Sequence, residues 1–182
     1  PGTLSGWLEQ TSPGFVFVVK AHMRITHILR LTRSEFTEVF FKAIDPLRVQ
    51  GRLGPVLFQL PPNMACDMEK LAGFLGDLPT DVRCAIEFRH KSWLEDPVCD
   101  LLARHNVALC LAESERLTVP ERVTADFVYF RLRKADYTVE ERQEIGRKAR
   151  ELVAEGKDVY VFFKHEETAA GALYAEEILN AQ

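Results

Sequence analysis

The chain has 182 residues, of which 47% are hydrophobic and 27% charged, and its net charge is −4 at neutral pH. This composition excludes disordered and low-complexity proteins, and the length predicts a single domain over residues 1–182, since a domain has about 150 residues. No apolar run approaches the roughly 20 residues of a membrane helix, so no membrane partner is predicted. The acidic net charge excludes a general attraction to nucleic acid and leaves only local basic patches.

Six short apolar runs rich in β-branched and aromatic residues predict strands. In chain order they are Phe15–Lys20, Pro55–Leu60, Cys84–Arg89, Val107–Ala112, Phe127–Leu132 and Val159–Lys164. Continuous apolar runs of this kind are typical of strands that are buried on both faces, as in parallel sheets.

Helical patterns separate most of these runs. The longer ones are predicted to begin at a Thr32–Glu35 capping box, at Asp96 before Pro97, at a Thr138–Glu141 capping box and at about Thr168, and a shorter one runs from Asp67 to about Leu75. Gly156 is predicted to end the helix that begins at Thr138. The connection over residues 113–126 is expected to be a loop or one short helical turn. Alternating strands and helices predict an α/β fold with a parallel sheet.

Polar side chains lie near the carboxyl ends of five predicted strands, on the face opposite an apolar face. They are Lys20, Gln59, Glu87 with Arg89, Arg131 and Lys164. Because side chains alternate along a strand, this pattern separates a helix-packed face from a face that opens into a barrel or cleft. The carboxyl ends of parallel strands are the usual ligand site in such folds. The alternative is that the charges only pair with one another inside a barrel to compensate their burial. The candidate pairs are Arg89 with Glu87 and Arg131 with Glu113.

Several segments also resemble a protein family. They are Phe17–Ala21 with Ile25–His27, Gly54–Pro62, Glu87–Trp93, Thr124–Leu132 and Val159–His165. Together they resemble the YecE-like proteins, domain-of-unknown-function family 72 (DUF72), across nearly the whole chain. The resemblance implies a TIM (β/α)8-type barrel and no settled reaction.

Two motifs of that family do not occur in this chain. Family members usually begin with a Gly-Thr-Ser-Gly-Trp strand and have a second strand near Glu-Ile-Asn-Ser-Thr-Phe-Tyr. We therefore expect an incomplete TIM-type barrel, with about six parallel strands that correspond to strands 3–8 of the family fold. Either the chain is a fragment or a truncated gene product, or two strands come from elsewhere.

Cations outnumber carboxylates at and near the predicted strand ends, although the whole chain is acidic. An electropositive mouth attracts anions such as a phosphorylated metabolite or a nucleic-acid backbone. Arg89 and Arg131 are candidates to clamp an oxyanion, and Lys20 or Lys164 would add charge. The predicted substrate-binding residues are Lys20, Gln59, Arg89, Arg131, Lys164, His165 and Trp93. For Trp93 the alternative is packing at the start of a helix.

Glu87 and His90 are the candidate catalytic residues. Glu87 can act as a general base, or equally as the counter-ion that holds Arg89 in place. His90 can act as an acid or a base near neutral pH. His27 follows Ile-Thr in a predicted loop and is expected to be a structural hydrogen-bonding residue. A lysine Schiff base at a strand end is chemically possible and would need a lowered lysine pKa.

A metal site and a bound cofactor are not predicted. The residue types for a metal site are present in Glu87, His90, Glu113 and His165, but no His-x-His or His-x-x-x-His pair occurs and basic neighbours repel a cation. The sequence has no phosphate-binding loop of Walker or Rossmann type and no Ser/His/Asp signature. The four cysteines form no C-x-x-C pair, which favours reduced thiols in the cytoplasm over disulfides or a zinc site.

The sequence leaves hypotheses of different classes open. The first is an enzyme that acts on a phosphorylated or other anionic small substrate, as a hydrolase, lyase or isomerase. The second is a nucleic-acid-binding barrel, either a repair-type phosphodiesterase or a non-catalytic binder. Basic residues outside the strand ends alternate with acids, as in Glu140–Glu144, which favours the small anion. The third is an inactive truncated chain.

Overall fold

The computed structural model describes residues 2–113, 117–163 and 169–181. Within these residues the strands are β1 (Phe17–Lys20), β2 (Leu53–Gln59), β3 (Cys84–Glu87), β4 (Ala108–Ala112), β5 (Phe127–Leu132) and β6 (Asp158–Phe163). The helices are α1 (Gly2–Gln10), α2 (Glu35–Val49), α3 (Met68–Gly76), α4 (Asp96–Arg104), α5 (Val139–Ala154) and α6 (Ala170–Asn180). A π-helical turn, Arg24–Ile28, follows β1, and a 3₁₀ turn, Lys91–Trp93, follows β3.

The six strands form one parallel sheet in chain order, from β1 at one edge to β6 at the other. A helix lies in each connection between neighbouring strands except the one from β4 to β5, whose residues 117–126 are irregular. This arrangement confirms the predicted α/β fold and its parallel sheet. The expected loop before β5 is also present in the part of that connection that the structure describes.

Capping side chains set the start of several helices. The Thr138–Glu141 capping box opens α5 as predicted, and Asp67 caps α3 by accepting from the Lys70 amide at 2.9 Å. The predicted Thr32–Glu35 capping box is wrong, because the chain reaches the helix only at Ser34, whose hydroxyl accepts from Phe36 N at 3.1 Å. Helix α4 begins at Asp96 itself and not after it.

Several strand ends differ from the prediction by one or two residues, and those of β1 and β3 affect the site. β1 begins at Phe17, since Phe15 and Val16 lie outside the ladder with about half of their surface exposed. β3 ends at Glu87. Arg89 and His90 therefore lie in the loop that follows β3, and the chain leaves the sheet just where the charged residues begin.

The two faces of the sheet build separate cores. On the outer face, Val56, Phe58 and Ile86 pack against helix residues such as Leu71 and Phe74, all at least 96% buried. A fully buried side chain of this size stabilises the fold by about 1.5–3 kcal/mol. A second outer cluster joins Val128 and Phe130 of β5 to α5 and α6. The helix-packed face predicted from the alternation of side chains is therefore the outer face.

The inner face carries its own cluster, which bends the sheet. Leu57, Ala85, Cys110, Phe127 and Tyr129 form the centre of this cluster, together with other small side chains. Side chains from both edge strands pack against it, namely Val18 of β1 and Tyr160 and Phe162 of β6. Because the edge strands share one inner core, the sheet is a curled half-barrel, an incomplete arrangement of the TIM type.

No helix in the described part of the chain is long and apolar enough to cross a membrane. All four cysteines are free, and Cys84, Cys99 and Cys110 are buried. Burial raises the pKa of the Cys84 thiol to about 12. It also raises the pKa of Cys110, which lies in the inner cluster close to Glu87.

Candidate functional site

The carboxyl ends of β1, β2 and β3 bring Lys20, Gln59 and Glu87 together on the inner face of the sheet. Each is the last residue of its strand, and the register places Gln59 directly opposite Glu87. Gln59 and Glu87 have only 7% and 1% of their surface exposed, whereas Lys20 is exposed at the open end. The alternation of side chains along a strand explains why all three face the same way.

A chain of hydrogen bonds connects these three side chains. Lys20 Nζ donates to Gln59 Oε1 at 2.8 Å, and Gln59 Nε2 donates to Glu87 Oε1 at 2.8 Å. The ammonium group on one side and the carboxylate on the other fix the orientation of the amide, because only one orientation matches donors to acceptors. Gln59 therefore links the cation of β1 to the carboxylate of β3.

Glu87 is the counter-ion of two arginines. Arg131 Nη1 donates to Glu87 Oε2 and Arg133 Nη2 donates to Glu87 Oε1, each at 2.5 Å. The side chain of Glu87 is 2% exposed, and those of Arg131 and Arg133 are 13% and 24% exposed. The hypothesis that Glu87 pairs with Arg89 is wrong, because β3 ends at Glu87 and the chain turns Arg89 out to solvent.

Among the described residues, Arg133 has one donor that finds no acceptor. Its Nε atom is buried and has no hydrogen-bond acceptor among the described residues. Buried guanidinium donors are normally paired, since an unmade hydrogen bond of this kind costs about 1–3 kcal/mol. Two guanidinium groups thus share one carboxylate, and one of their buried donors remains open.

Glu113, just after β4, contacts the backbone that follows β5. Its Oε2 atom accepts from Arg133 N at 2.7 Å, from Lys134 N at 3.3 Å and from the hydroxyl of Tyr137. Burial, together with the hydrogen bond to Glu113, raises the pKa of Tyr137. The hypothesis that Glu113 pairs with Arg131 is therefore wrong, because its carboxylate is taken by backbone amides and a phenol.

The rim of the site is positively charged around His27. This ring is half-buried in the π-helical turn after β1, and its Nδ1 atom lies 2.8 Å from the Thr26 hydroxyl oxygen. Burial first, and then the positive charges of Lys20, Arg89 and Arg30, lower the pKa of His27. Three cationic side chains thus lie close enough to His27 to oppose its protonation, in addition to burial.

His90 caps the 3₁₀ turn that follows β3. Its Nδ1 atom accepts from Ser92 N at 3.3 Å and lies 2.8 Å from Ser92 Oγ. Since Nδ1 accepts from a backbone amide, the neutral ring carries its proton on Nε2. The half-buried His90 thus has one nitrogen engaged in structure, and Nε2 is the nitrogen that remains for acid–base chemistry.

Trp93 belongs to the outer core and does not line the mouth. It is fully buried, stacks on Phe88 with 4.8 Å between ring centroids, and donates from Nε1 to Met64 O at 2.7 Å. The packing alternative considered for this residue is the one that fits its position. The predicted binding residues Lys164 and His165 lie outside the described residues.

Arg133 and Tyr137 were not among the predicted site residues. A signal for Arg133 is present in the sequence, because it continues the alternation of Tyr129 and Arg131 on the inner face of β5. Nothing in the sequence marks Tyr137, whose role depends on contact with Glu113 across strands. Within the described ranges no three His, Cys, Asp or Glu side chains are placed to hold a metal ion.

Comparison with known proteins places the chain in a family. The family model described as "Protein of unknown function DUF72" matches residues 1–181. The UPF0759 protein YunF of Bacillus subtilis (strain 168) is 32% identical over 102 residues, which cover 50% of this chain and 35% of that relative. The chain therefore spans about a third of the length of the curated relative it matches.

Solved structures of the same family share the fold. A DUF72 family protein from Thermotoga maritima MSB8 superposes with a TM-score of 0.81 at 25% identity, covering 98% of this chain and 77% of that chain. A DUF72 family protein from Enterococcus faecalis V583 superposes with a TM-score of 0.76 at 20% identity, covering 100% of this chain and 84% of that chain. With the family model matching almost every residue, the chain belongs to the DUF72 family.

Proposed function

We propose that this chain binds a phosphorylated or otherwise anionic small molecule at the carboxyl ends of the strands. The observation that carries the proposal is the sharing of one buried carboxylate, Glu87, by two guanidinium groups. An ion pair that served only to compensate burial would match one cation to one anion. Here two guanidinium groups pair with the single carboxylate of Glu87, and the neighbouring Glu113 carboxylate accepts from the Arg133 backbone amide and not from its guanidinium.

The open donor of Arg133 supports the same proposal. Its Nε atom is buried without an acceptor among the described residues, and a phosphate or carboxylate oxygen would satisfy it. Guanidinium groups bind such oxygens in a planar, charge-assisted geometry. The ligand's anionic group would therefore bind beside Glu87 and complete the hydrogen bonding of Arg133.

Arg89 is the proposed rim contact. It is exposed, and its charge helps to lower the pKa of His27. An exposed arginine at the same end of the sheet can add a bidentate contact to an oxyanion that enters the mouth. Lys20 would contribute charge on the opposite side, and Lys164 and His165 remain proposed contacts at the end of β6.

For Glu87 we propose the role of anchor over that of general base. Its two carboxylate oxygens accept from Gln59, Arg131 and Arg133, so the lone pairs that would take a proton are already directed at donors. If the chain catalyses a reaction, we propose His90 as the acid or base. Its Nδ1 atom accepts from Ser92 N, and its Nε2 atom takes no part in that contact.

Nucleic-acid binding is the second candidate, and it rests on the surface around the mouth. Met23 and Ile28 are 57% and 64% exposed on the turn after β1. Exposed arginine Arg24 lies in the same turn, with its guanidinium 4.9 Å from the ring centre of Phe36. Apolar side chains interleaved with arginines suit single-stranded nucleic acid. The deeper cations favour the small anion, because the Arg131 and Arg133 side chains are only 13% and 24% exposed and a bulky polymer backbone reaches them less readily.

Isothermal titration calorimetry and thermal shift with the chain would test the proposal. The ligands are inorganic phosphate, sugar phosphates, nucleoside monophosphates and a short single-stranded DNA. We expect a phosphorylated small molecule to bind and the Arg89→Ala variant to lose about tenfold in affinity. Arg104→Ala is the matched control, because this exposed arginine ends α4 and should not change binding.

Two results would contradict this proposal. Wild-type affinity in the Arg89→Ala variant would remove Arg89 from the site. Binding of DNA alone, with an affinity that falls steeply as salt rises, would favour the second candidate, since release of counter-ions dominates nucleic-acid binding.

A further inference from the structure

The ladder between β4 and β5 continues through a side chain. Its last pair is Ala112 with Arg131, after which Glu113 N donates to Arg131 O at 3.0 Å. The next donor on the β5 side is Arg133 N, and its acceptor is the Glu113 carboxylate at 2.7 Å. A side-chain oxygen thus stands where a strand partner's carbonyl would otherwise accept.

This replacement decides where Arg133 points. Arg133 is one residue beyond β5, and within the described residues its amide donates to no strand carbonyl. Its guanidinium nevertheless returns to the inner face and donates to Glu87 at 2.5 Å. Holding the Arg133 amide at Glu113 keeps the residue in the alternation of β5, with its side chain on the same face as Arg131.

Tyr137 holds the carboxylate in turn. It is 2% exposed, its hydroxyl donates to Glu113 Oε2, and the same hydroxyl accepts from Lys134 N at 2.9 Å. The ring packs edge-on against Phe163, with 5.1 Å between centroids. Packing against Phe163 holds the Tyr137 ring in place. Its hydroxyl then contacts both the Glu113 carboxylate and the Lys134 amide, which follows Arg133.

We propose that Glu113 and Tyr137 form a clasp that positions Arg133 for anion binding. They are positioning residues, because they act through the Arg133 backbone and not on the ligand. The inference rests on the proposed function as far as binding is concerned. The part that concerns structure alone is that the orientation of the Arg133 guanidinium depends on the Glu113 carboxylate and the Tyr137 phenol.

The experiment measures the orientation of Arg133 and the affinity for phosphate separately. The Nε–Hε signal of Arg133 in an isotope-labelled sample is assigned by its absence in an Arg133→Lys variant. We expect this signal to shift or broaden in Tyr137→Phe and Glu113→Ala. In Glu113→Gln it should stay close to wild type, since the amide keeps an oxygen that accepts from Arg133 N.

The affinity for inorganic phosphate should fall by about two- to tenfold in Tyr137→Phe, which is the effect of one hydrogen bond.

Tyr160→Phe is the matched control. Its hydroxyl accepts from Arg83 Nη1 at 3.2 Å. This change therefore also removes a phenol hydrogen bond, but the partner is the residue that precedes β3. Neither the Arg133 signal nor phosphate affinity should change in it.

An unaltered Arg133 signal in both Tyr137→Phe and Glu113→Ala would overturn the clasp. If the wild-type chain does not bind phosphate while the signal still depends on Tyr137, the clasp stands as the device that orients Arg133, and the anion site is what fails.

Discussion

Replacing Glu87 with glutamine removes the charge that two arginines share and changes the side-chain volume little. The Glu87 side chain is 2% exposed, and both ion pairs measure 2.5 Å. Removing one partner of a buried ion pair costs about 3–5 kcal/mol, because the other charge is left without compensation. Arg131 and Arg133 keep 13% and 24% of their side-chain surface exposed, so water screens them in part. We expect Glu87→Gln to lower the free energy of unfolding by about 2–3 kcal/mol.

Urea unfolding and thermal melts measure this loss. In a chain of this size one kcal/mol corresponds to a change in Tm of about 2–4 °C, so a decrease of about 4–12 °C is expected. Glu144→Gln is the control, because Glu144 and its partner Arg147 are more than half exposed and a surface pair contributes little.

Phosphate distinguishes the two roles considered for Glu87. If Glu87 anchors the arginines, its removal enlarges the local surplus of positive charge, and at low ionic strength phosphate should stabilise Glu87→Gln more than it stabilises the wild type. A variant with wild-type stability and no phosphate response would refute the anchor, since the carboxylate would then act on the ligand and not on the arginines.

Three further outcomes follow from the surroundings of single residues. His27 has a lowered pKa, so between that value and about 6.5 the unfolded chain binds more protons and stability falls as the pH falls through this window. Bound phosphate should raise the pKa of His27 in an NMR titration, and an unchanged pKa with phosphate bound would place the anion elsewhere. Trp93→Phe should lower unfolding stability by about 1–3 kcal/mol, because Met64 O loses its buried donor, while calorimetry shows unchanged phosphate affinity. Cys84 and Cys110 should react with a thiol reagent only on unfolding, and fast labelling in the native state would contradict their burial.

The sequence predicts the sheet well because local patterns determine its strands. Each of the six predicted runs overlaps an observed strand by four to six residues, and a period of two distinguishes the inner from the outer face. The Thr138–Glu141 capping box is equally local. The error at Thr32 has the same physical basis, because Ser34 offers a competing hydroxyl two residues later, and both are good capping residues.

The pairing of charges is predicted less well, because it depends on the curl of the sheet. Glu87 and Arg131 are 44 residues apart and lie on strands that are not neighbours. Only the bending around the inner cluster brings β3 and β5 within reach of one ion pair. The expected pairing of Glu87 with Arg89 requires a strand that continues to residue 89, so that both side chains share one face. The strand β3 ends instead at Glu87.

The half-barrel uses the carboxylates of Glu87 and Glu113 in different ways. Glu113 lies next to Arg133, since its Oε2 atom accepts from Arg133 N. A protein that only had to neutralise its arginines would pair each with its own carboxylate, because a buried charge without a partner is costly. Here one carboxylate serves both guanidinium groups, and the other binds backbone amides and the Tyr137 hydroxyl. The fixed guanidinium groups of Arg131 and Arg133 therefore support the proposed anion site, because positioned cationic donors at the strand ends suit an anionic ligand.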